Sequence, residues 1–375
     1  MKMHIGFISS SPQYSTGYGK VVRNLSVQLK KLYSAKVSFC DVGSSGVPIE
    51  TEYGRVYPGA EVTGMYRYIK TERPDVVIHV RDNWVFTPKF FQTPYDIYDL
   101  CRRVGSKLML YSPVQSMIPP EIADVAKNRC DYQITMSRWG AQIYSIYGVD
   151  KVDYVYHGVD TTIYNPKDKN EMKKKYGFDP AKPLISYVAM NIDYRKMLPL
   201  ALTVYRLLLN EGVDAQLFMG TEPVFYWDLD VWERALGLQG MVYYPRFTSK
   251  NWGIPEEDYA NILGASDVYL SVSTAEGFCL PVLEASASGI PCVVTDHPIF
   301  HELYGDDVYY ISGNPYYPTS WGSFEVLIDP TNAVEQVIKA LDEKKNAKGK
   351  AVTYTWENAA QKLHDIIVNG MGISF

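Results

Sequence analysis

The chain has 375 residues, of which 46% are hydrophobic and 21% charged, and its formal net charge is −5. This composition is typical of a soluble globular protein, and the length exceeds that at which one hydrophobic core stops growing, so two domains are expected. The small acidic net charge disfavours nucleic acid as a partner. No stretch approaches 18 uninterrupted apolar residues, which disfavours a membrane-spanning helix.

The five cysteines are odd in number and show no C-x-x-C spacing. This usage is typical of free buried thiols in a reducing compartment and disfavours structural zinc. We therefore expect a cytoplasmic protein, with peripheral contact with a membrane as an open alternative.

Strand-like and helix-like segments alternate along the chain. In the first half, the strand "MHIGFISS" precedes the helical pattern "GKVVRNLSVQLKKLY" and the strands "AKVSFCDV", "PDVVIHVR", "KLMLYSPV", "YQITMS" and "DYVYHG". Near-continuous apolar strands that alternate with helices predict a parallel sheet covered on both faces. A polar, proline-containing stretch then interrupts the pattern, and the alternation restarts at "LISYVAM". We predict a first Rossmann-like domain over 1–165, a linker over 166–183 and a second such domain over 184–354.

The segment "TAEGFCLPVLEASASG" follows the predicted strand "VYLSVS" and opens a helix at Leu280 or Pro281. The backbone N–H groups of Phe278, Cys279 and Leu280 would point out of the helix N-terminus, which suits a phosphate group. The carboxylates of Glu276 and Glu284 would flank that phosphate and accept hydrogen bonds from sugar hydroxyls. The alternative is that both glutamates are ordinary charges at the start and on the surface of a helix.

Two adjacent cations follow the strand "LISYVAM". Arg195 and Lys196 lie in "NIDYRKML", just before an apolar helix. A helix start is an unfavourable place for cations, because the helix dipole is already positive there, so a diphosphate partner is a reasonable expectation. The alternative is a pair of solvated charges.

A glycine pair, Gly17 and Gly19, follows the first strand in "STGYGKVV". These glycines permit close approach of a ligand to the backbone, although a plain strand–helix turn explains them nearly as well. The third glycine of the dinucleotide fingerprint is missing, and no acidic residue is expected at the end of the next strand. Asp228 and Asp230 form a D-x-D pattern that we interpret as part of a loop or as a helix N-cap, and not as a metal site.

Together these segments resemble the retaining nucleotide-sugar glycosyltransferases of family 4, which have the GT-B fold. The resemblance rests on "EGFCLPVLEASASGIPCVV", with "YVYHGVDTTIYNP", "RKML", "TMSRWGAQIYSIYGV" and "STGYGKVVRNL" in the family's order. It implies two doubly wound domains facing across a cleft, with the C-terminal helix, 355–375, returning to the first. It also implies that Glu276 contacts the donor sugar, Glu284 the ribose, and Arg195 with Lys196 the diphosphate.

The expected donor-binding residues are Glu284, Gly277, Phe278, Cys279, Leu280, Gly17 and Gly19, and the expected catalytic residues are Glu276, Arg195 and Lys196. The chain departs from the family pattern at Cys279, where glycine is usual, and at Met190, near which a further basic residue is common. The position of a histidine that many members carry in the first domain is occupied by "SPVQ", which leaves the acceptor-side chemistry undefined.

We therefore expect a retaining hexosyltransferase that needs no cofactor and no metal ion. It would move a sugar from a nucleoside-diphosphate sugar to a glycan, lipid or small-molecule acceptor. The rival hypotheses are a sugar-nucleotide epimerase or phosphorylase on the same fold, and a non-catalytic protein that binds sugar nucleotides. The sequence does not define the donor base, the sugar, the acceptor or the oligomeric state.

Overall fold

The computed structural model describes residues 2–82, 85, 96–245, 253–320 and 322–373. The chain forms two compact units, one made of Met1–Gly158 and Tyr354–Phe375, the other of Val159–Thr353. No helix in the described ranges combines the length and the apolar character needed to cross a bilayer.

The first unit is built on a sheet that has eight strands in the described part of the chain. Their order is β3–β4–β2–β1–β5–β6–β7–β8, and all neighbours pair in parallel except β3 with β4. The strands are β1 His4–Ser9, β2 Lys36–Asp41, β3 Ile49–Thr51, β4 Gly54–Pro58, β5 Val76–Val80, β6 Lys107–Ser112, β7 Tyr132–Thr135 and β8 Val152–Tyr154. The strand pair β3–β4 was not predicted, because both strands are short; β3 is the edge strand of the sheet and β4 lies next to it.

The helices of the first unit are Gly17–Tyr33, Val62–Glu72, Ile97–Val104, Pro120–Asn128, Arg138–Ile146 and the C-terminal helix Trp356–Asp365. Thr355 caps the C-terminal helix by accepting a hydrogen bond from the Asn358 N–H at 3.0 Å. The Tyr33 ring stacks on His364 at 3.6 Å, so the C-terminal helix packs against the first helix of the chain.

The second unit has a sheet whose six described strands all run parallel, in the order β11–β10–β9–β12–β13–β14. The strands are β9 Leu184–Val188, β10 Gln216–Gly220, β11 Val242–Tyr243, β12 Val268–Ser271, β13 Cys292–Thr295 and β14 Tyr309–Ile311. An antiparallel hairpin follows, formed by β15 Gly313–Pro318 and β16 Phe324–Ile328. The helices are Lys169–Tyr176, Leu198–Asn210, Leu229–Leu236, Glu256–Ala265, Leu280–Ala287, Pro298–Tyr304, Pro330–Glu343 and Lys348–Ala351.

The predicted linker, 166–183, differs from what the structure shows. It contains the helix Lys169–Tyr176, which belongs to the second unit. The buried Lys173 ammonium lies 2.7 Å from Asp267 Oδ2 and donates to the Lys182 carbonyl at 2.7 Å. A buried ion pair therefore fixes a stretch whose many charges suggested a solvated connection.

The strand order of the second unit reverses between β9 and β12. From β9 the chain proceeds to β10 and β11 on one side, and from β12 to β13 and β14 on the other. Such a switch point leaves a crevice at the carboxyl ends of the two central strands, where open α/β sheets bind ligands. The segments that follow β9 and β12 are those that carry Arg195, Lys196 and Glu276.

Candidate functional site

The loop that follows β12 carries the first carboxylate of the site. Residues 273–278 are buried, and only 6% of Glu276 is exposed. The helix then begins at Leu280 with a proline in its first turn, as the sequence predicts. Glu276, Gly277 and Phe278 thus lead directly into a helix N-terminus.

Glu276 contacts both predicted cations. Lys196 Nζ donates to Glu276 Oε1 at 2.5 Å, and Arg195 Nη1 lies 3.2 Å from Glu276 Oε2. The same Arg195 nitrogen donates to the Ala275 carbonyl at 2.7 Å, while Nη2 lies 3.7 Å from Asp193 Oδ2. The three residues predicted to be catalytic therefore form one cluster, which we call the Glu276 cluster.

The charge of Glu276 is set by two opposing effects. Burial raises the pKa of its carboxyl group, but the charges of Lys196 and Arg195, with hydrogen bonds from Lys196 and Ser273, outweigh burial and lower the pKa to about 2. Glu276 is therefore a carboxylate across the whole physiological range.

Hydrogen bonds from the ends of two strands fix the 3₁₀ turn Tyr194–Lys196. The Tyr187 hydroxyl, at the end of β9, donates to the Lys196 carbonyl at 2.5 Å and lies 3.1 Å from the Ser273 hydroxyl. The Thr274 N–H donates to the Arg195 carbonyl at 2.9 Å. The backbone that carries both cations is thus fixed by the ends of the two central strands, β9 and β12.

Glu284 lies one turn inside the helix Leu280–Ala287 and is 3% exposed, which rules out the alternative of a surface charge. Its carboxylate faces Tyr259. The pKa of the Tyr259 hydroxyl is raised well above its usual value, first by burial and then by the charge and hydrogen bonding of Glu284. The Tyr259 ring in turn lies 6.0 Å from that of Tyr164, edge to face. Glu284 therefore has an environment of its own, distinct from the Glu276 cluster.

Two residues at the starts of neighbouring helices have a left-handed backbone without being glycine. Met197 has φ 45° before the helix Leu198–Asn210, and Cys279 has φ 68° before the helix Leu280–Ala287. These are the positions after the R-K pair and after "EGF", and at the second of them glycine is usual in the family that the sequence resembles. A side chain at such an angle costs of order 1 kcal/mol, so the local backbone is imposed by its surroundings.

The glycine pair lies in the first unit, where Gly17 begins the helix Gly17–Tyr33. A Cβ atom on Gly19 would lie 2.6 Å from the Tyr14 carbonyl oxygen and 2.7 Å from that of Ser11, whereas one on Gly17 would meet nothing within 4 Å. Packing within the chain therefore requires glycine at 19 but not at 17.

Contrary to the sequence-based expectation, an acidic residue ends the second strand. Asp41, the last residue of β2, is buried and accepts hydrogen bonds from the backbone N–H groups of Ser11 and Gly43 at 3.2 and 3.0 Å. Its carboxylate therefore joins the loops that follow β1 and β2 at the carboxyl ends of these strands.

Asp228 accepts a hydrogen bond from the Val231 N–H at 3.4 Å and caps the helix Leu229–Leu236, which confirms its interpretation as an N-cap. Among the described residues no group of three or more His, Cys, Asp or Glu side chains could hold a metal ion. Metal independence stays a prediction.

The residues that support the Glu276 cluster were not among those predicted from the sequence. Tyr187, Ser273 and Thr274 stand at the carboxyl ends of buried strands, and a hydroxyl group at such a place is the signal that could have marked them. Glu325, which accepts a hydrogen bond from Thr274, has no such signal, because the hairpin that carries it was not predicted.

Comparison with known proteins finds similarity in the second half of the chain. Residues 168–348, just under half of the chain, match the family Glycosyl transferases group 1. The lipopolysaccharide core biosynthesis mannosyltransferase LpsB of Rhizobium meliloti (strain 1021) is 31% identical over 153 residues, which are 40% of this chain and 42% of that protein. The matches span less than half the length of the curated relatives.

Solved structures share the fold over the whole chain. Sucrose-phosphate synthase from Thermosynechococcus elongatus has a TM-score of 0.75 at 14% identity and full coverage of both chains. Anabaena Alr3699/HepE in complex with UDP and glucose has a TM-score of 0.71 at 13% identity, with 98% and 100% coverage. The fold is thus that of the GT-B glycosyltransferases, an α/β architecture with parallel sheets.

Glu276→Gln should destabilise the ligand-free protein. Removing one partner of a buried ion pair typically costs about 3–5 kcal/mol, because the remaining charges lose their counterion. Inorganic pyrophosphate should then stabilise the variant more than the wild type, since it can replace the missing anion. Thermal unfolding with and without pyrophosphate measures both effects.

The matched control for this change is Asp267→Asn. Asp267 also bridges two cations, Lys173 at 2.7 Å and Lys169 at 3.3 Å, but precedes β12 and so lies at the opposite end of that strand. Asp267→Asn should lose stability without gaining a response to pyrophosphate. An equal pyrophosphate response in both variants would contradict the assignment.

The stability that the charge of Glu276 contributes should depend on pH only in acid. Because the pKa of Glu276 is lowered to about 2, this contribution should be constant above pH 5 and decline only below about pH 4.5.

Gly17→Ala and Gly19→Ala should separate packing from binding. Gly19→Ala should lose about 1–3 kcal/mol of stability, because its Cβ collides with backbone oxygens. Gly17→Ala should stay within about 0.5 kcal/mol of wild type and weaken binding of a donor sugar nucleotide if the donor approaches that backbone. Urea unfolding and calorimetric titration test this. A loss of stability at Gly17→Ala as large as at Gly19→Ala would contradict it.

Proposed function

We propose that the protein is a glycosyltransferase that moves a sugar from a nucleoside-diphosphate sugar to an acceptor hydroxyl, with retention of anomeric configuration and without a metal ion. The observation that carries the proposal is the Glu276 cluster, with two cations and one carboxylate at the switch point of a parallel sheet and beside a helix N-terminus. The group 1 family match over 168–348 and the fold shared with HepE, solved with UDP and glucose, support it.

Arg195 and Lys196 would hold the diphosphate of the donor. Their side chains are only 11% and 15% exposed, and their backbone is fixed by Tyr187 and Thr274. Preorganised cations in such a position strengthen electrostatic binding without reorganisation during the reaction. The N-terminus of the helix Leu280–Ala287, entered through Phe278 and Cys279, adds the positive end of a helix dipole.

Glu276 would exchange partners when the donor binds. In the structure its carboxylate is paired with the cations that the diphosphate needs. Phosphate oxygens would replace it there, and the carboxylate would then accept hydrogen bonds from hydroxyls of the transferred sugar. Glu284, in its separate environment beside Tyr259, would accept hydrogen bonds from the ribose.

The reaction breaks the bond between the anomeric carbon and a diphosphate oxygen. Negative charge grows on that oxygen as the bond breaks, so Arg195 and Lys196 would bind the transition state more tightly than the ground state. The acceptor oxygen then bonds to the anomeric carbon, and its hydroxyl proton passes to the departing nucleoside diphosphate, whose oxygen has gained the negative charge. Product analysis with and without acceptors distinguishes this transfer from epimerisation, phosphorolysis or binding alone.

Lys196→Ala should lower the kcat of donor turnover. Loss of one preorganised charged donor typically costs about 10²–10³ in rate, and we expect at least about a tenfold loss here. Lys169→Ala is the control, because Lys169 pairs with Asp267 away from the cluster. Steady-state kinetics, with circular dichroism to check the fold, decides the point. An unchanged kcat with a raised KM would show that Lys196 only binds the donor.

Donor turnover should not depend on a divalent metal ion, because two cations and a helix N-terminus already face the proposed diphosphate. Activity should persist after dialysis against EDTA. Activity that EDTA abolishes and Mg²⁺ or Mn²⁺ restores would contradict the proposal.

A further inference from the structure

A buried carboxylate outside the Glu276 cluster is connected to it through hydroxyl groups. Glu325 lies on β16 of the hairpin and is 2% exposed. It accepts a hydrogen bond from the Tyr194 hydroxyl at 3.0 Å and a short one from the Thr274 hydroxyl. Among the described residues, no Lys, Arg or His nitrogen lies within ion-pair distance of it. Such a carboxylate is costly to bury, which raises the question of what it does.

Both partners of Glu325 belong to the segments that carry the Glu276 cluster. Tyr194 immediately precedes Arg195, and Thr274 donates its N–H to the Arg195 carbonyl at 2.9 Å. Arg195 in turn donates to the carbonyl of Ala275, the residue after Thr274. The backbone and the side chain of Arg195 are therefore both hydrogen-bonded to the loop with which Glu325 also forms a hydrogen bond.

The Thr274 hydroxyl has a single proton to donate. Its oxygen lies 3.3 Å from the Arg195 carbonyl and also contacts the Glu325 carboxylate. A charged acceptor makes the stronger hydrogen bond, so the Thr274 hydroxyl donates to the Glu325 carboxylate. The Arg195 carbonyl accepts a hydrogen bond from the backbone N–H of Thr274 instead. Burial and the Glu325 charge also raise the pKa of the Tyr194 hydroxyl, so Tyr194 stays protonated and donates.

The hairpin itself is attached to the same loop. The Val326 N–H donates to the Thr274 carbonyl at 3.0 Å, so Thr274 is bonded to β16 through backbone and side chain alike. Because the hairpin is fixed at Thr274, Glu325 reaches Tyr194 from a defined position.

We infer that Glu325 is a positioning residue that holds Arg195 in place for the diphosphate of the donor. This inference rests on the proposed function. Glu325 touches neither Arg195 nor the proposed donor site directly, and acts through Thr274 and Tyr194. A residue that only stabilised the hairpin would affect stability but not the affinity of the folded protein for nucleotides.

The chain offers a matched control. Glu233 is also a buried carboxylate of the second unit that accepts a hydrogen bond from a tyrosine, the Tyr244 hydroxyl at 2.7 Å. It lies on the helix Leu229–Leu236, and its hydrogen-bond partner, Tyr244, lies outside the turn Tyr194–Lys196. Glu233→Gln therefore reproduces the loss of a buried charge without the connection to Arg195.

The test is calorimetric titration with UDP, GDP and ADP at a temperature where each variant is folded. Glu325→Gln should weaken the affinity for the best nucleotide by roughly tenfold, the scale of one lost charge-assisted hydrogen bond. Glu233→Gln should stay within about twofold. In an Arg195→Ala background, Glu325→Gln should cause no further loss, because the two changes act through the same group.

Wild-type affinity in Glu325→Gln, or effects of Arg195→Ala and Glu325→Gln that multiply, would overturn the inference. If Glu325→Gln does not fold, Tyr194→Phe with Tyr244→Phe as its control gives the same comparison, since each removes only a hydroxyl group. A wild-type protein that binds none of the three nucleotides would overturn the proposed function and this inference with it. Arg195→Ala with unchanged affinity would overturn the diphosphate role of Arg195 and, with it, the inference.

Discussion

The buried Glu276 carboxylate is the interaction on which the site depends. Two adjacent cations that are largely withdrawn from water repel each other and lose hydration, which is unfavourable without an anion between them. Glu276 supplies that anion and is ionised at any ordinary pH, because the cations outweigh the effect of its burial. This pairing keeps Arg195 and Lys196 in one fixed arrangement.

The sheet topology brings these groups together. Arg195 and Lys196 follow β9, and Glu276 follows β12, and these strands are neighbours because the strand order reverses between them. Parallel neighbours end at the same edge of a sheet, so the turn and the loop meet there. Tyr187 and Thr274, from the same two strand ends, complete the arrangement with hydrogen bonds to the backbone of the cations.

Much of this could be predicted from the sequence. Near-continuous apolar strands predicted parallel sheets, and "EGF" before a proline-started helix located Glu276 at a helix N-terminus. The direct pairing of Glu276 with both cations could not be predicted, because it depends on which strands are adjacent. The role of Glu325 could not be predicted for the same reason, since its hairpin forms a separate two-stranded sheet and no local pattern relates it to Tyr194.

Residue types suggested a wrong environment or backbone conformation where tertiary contacts override the usual preference of those residues. The charges of 166–183 suggested a solvated linker, yet the ammonium of Lys173 is buried against Asp267. The left-handed conformation of Met197 and Cys279 is likewise invisible in the residue types, which disfavour it. In both cases tertiary contacts override the local preference.

The central claim is that the donor diphosphate takes over the cations that Glu276 occupies in the ligand-free protein. A crystal structure of the wild-type protein with its best-binding nucleoside diphosphate tests it most directly. We predict a phosphate oxygen within hydrogen-bond distance of Lys196 Nζ or the Arg195 guanidinium, and a Lys196–Glu276 contact that is longer than its present 2.5 Å. A bound nucleotide whose phosphates lie elsewhere, with Glu276 still paired to both cations, would contradict the account.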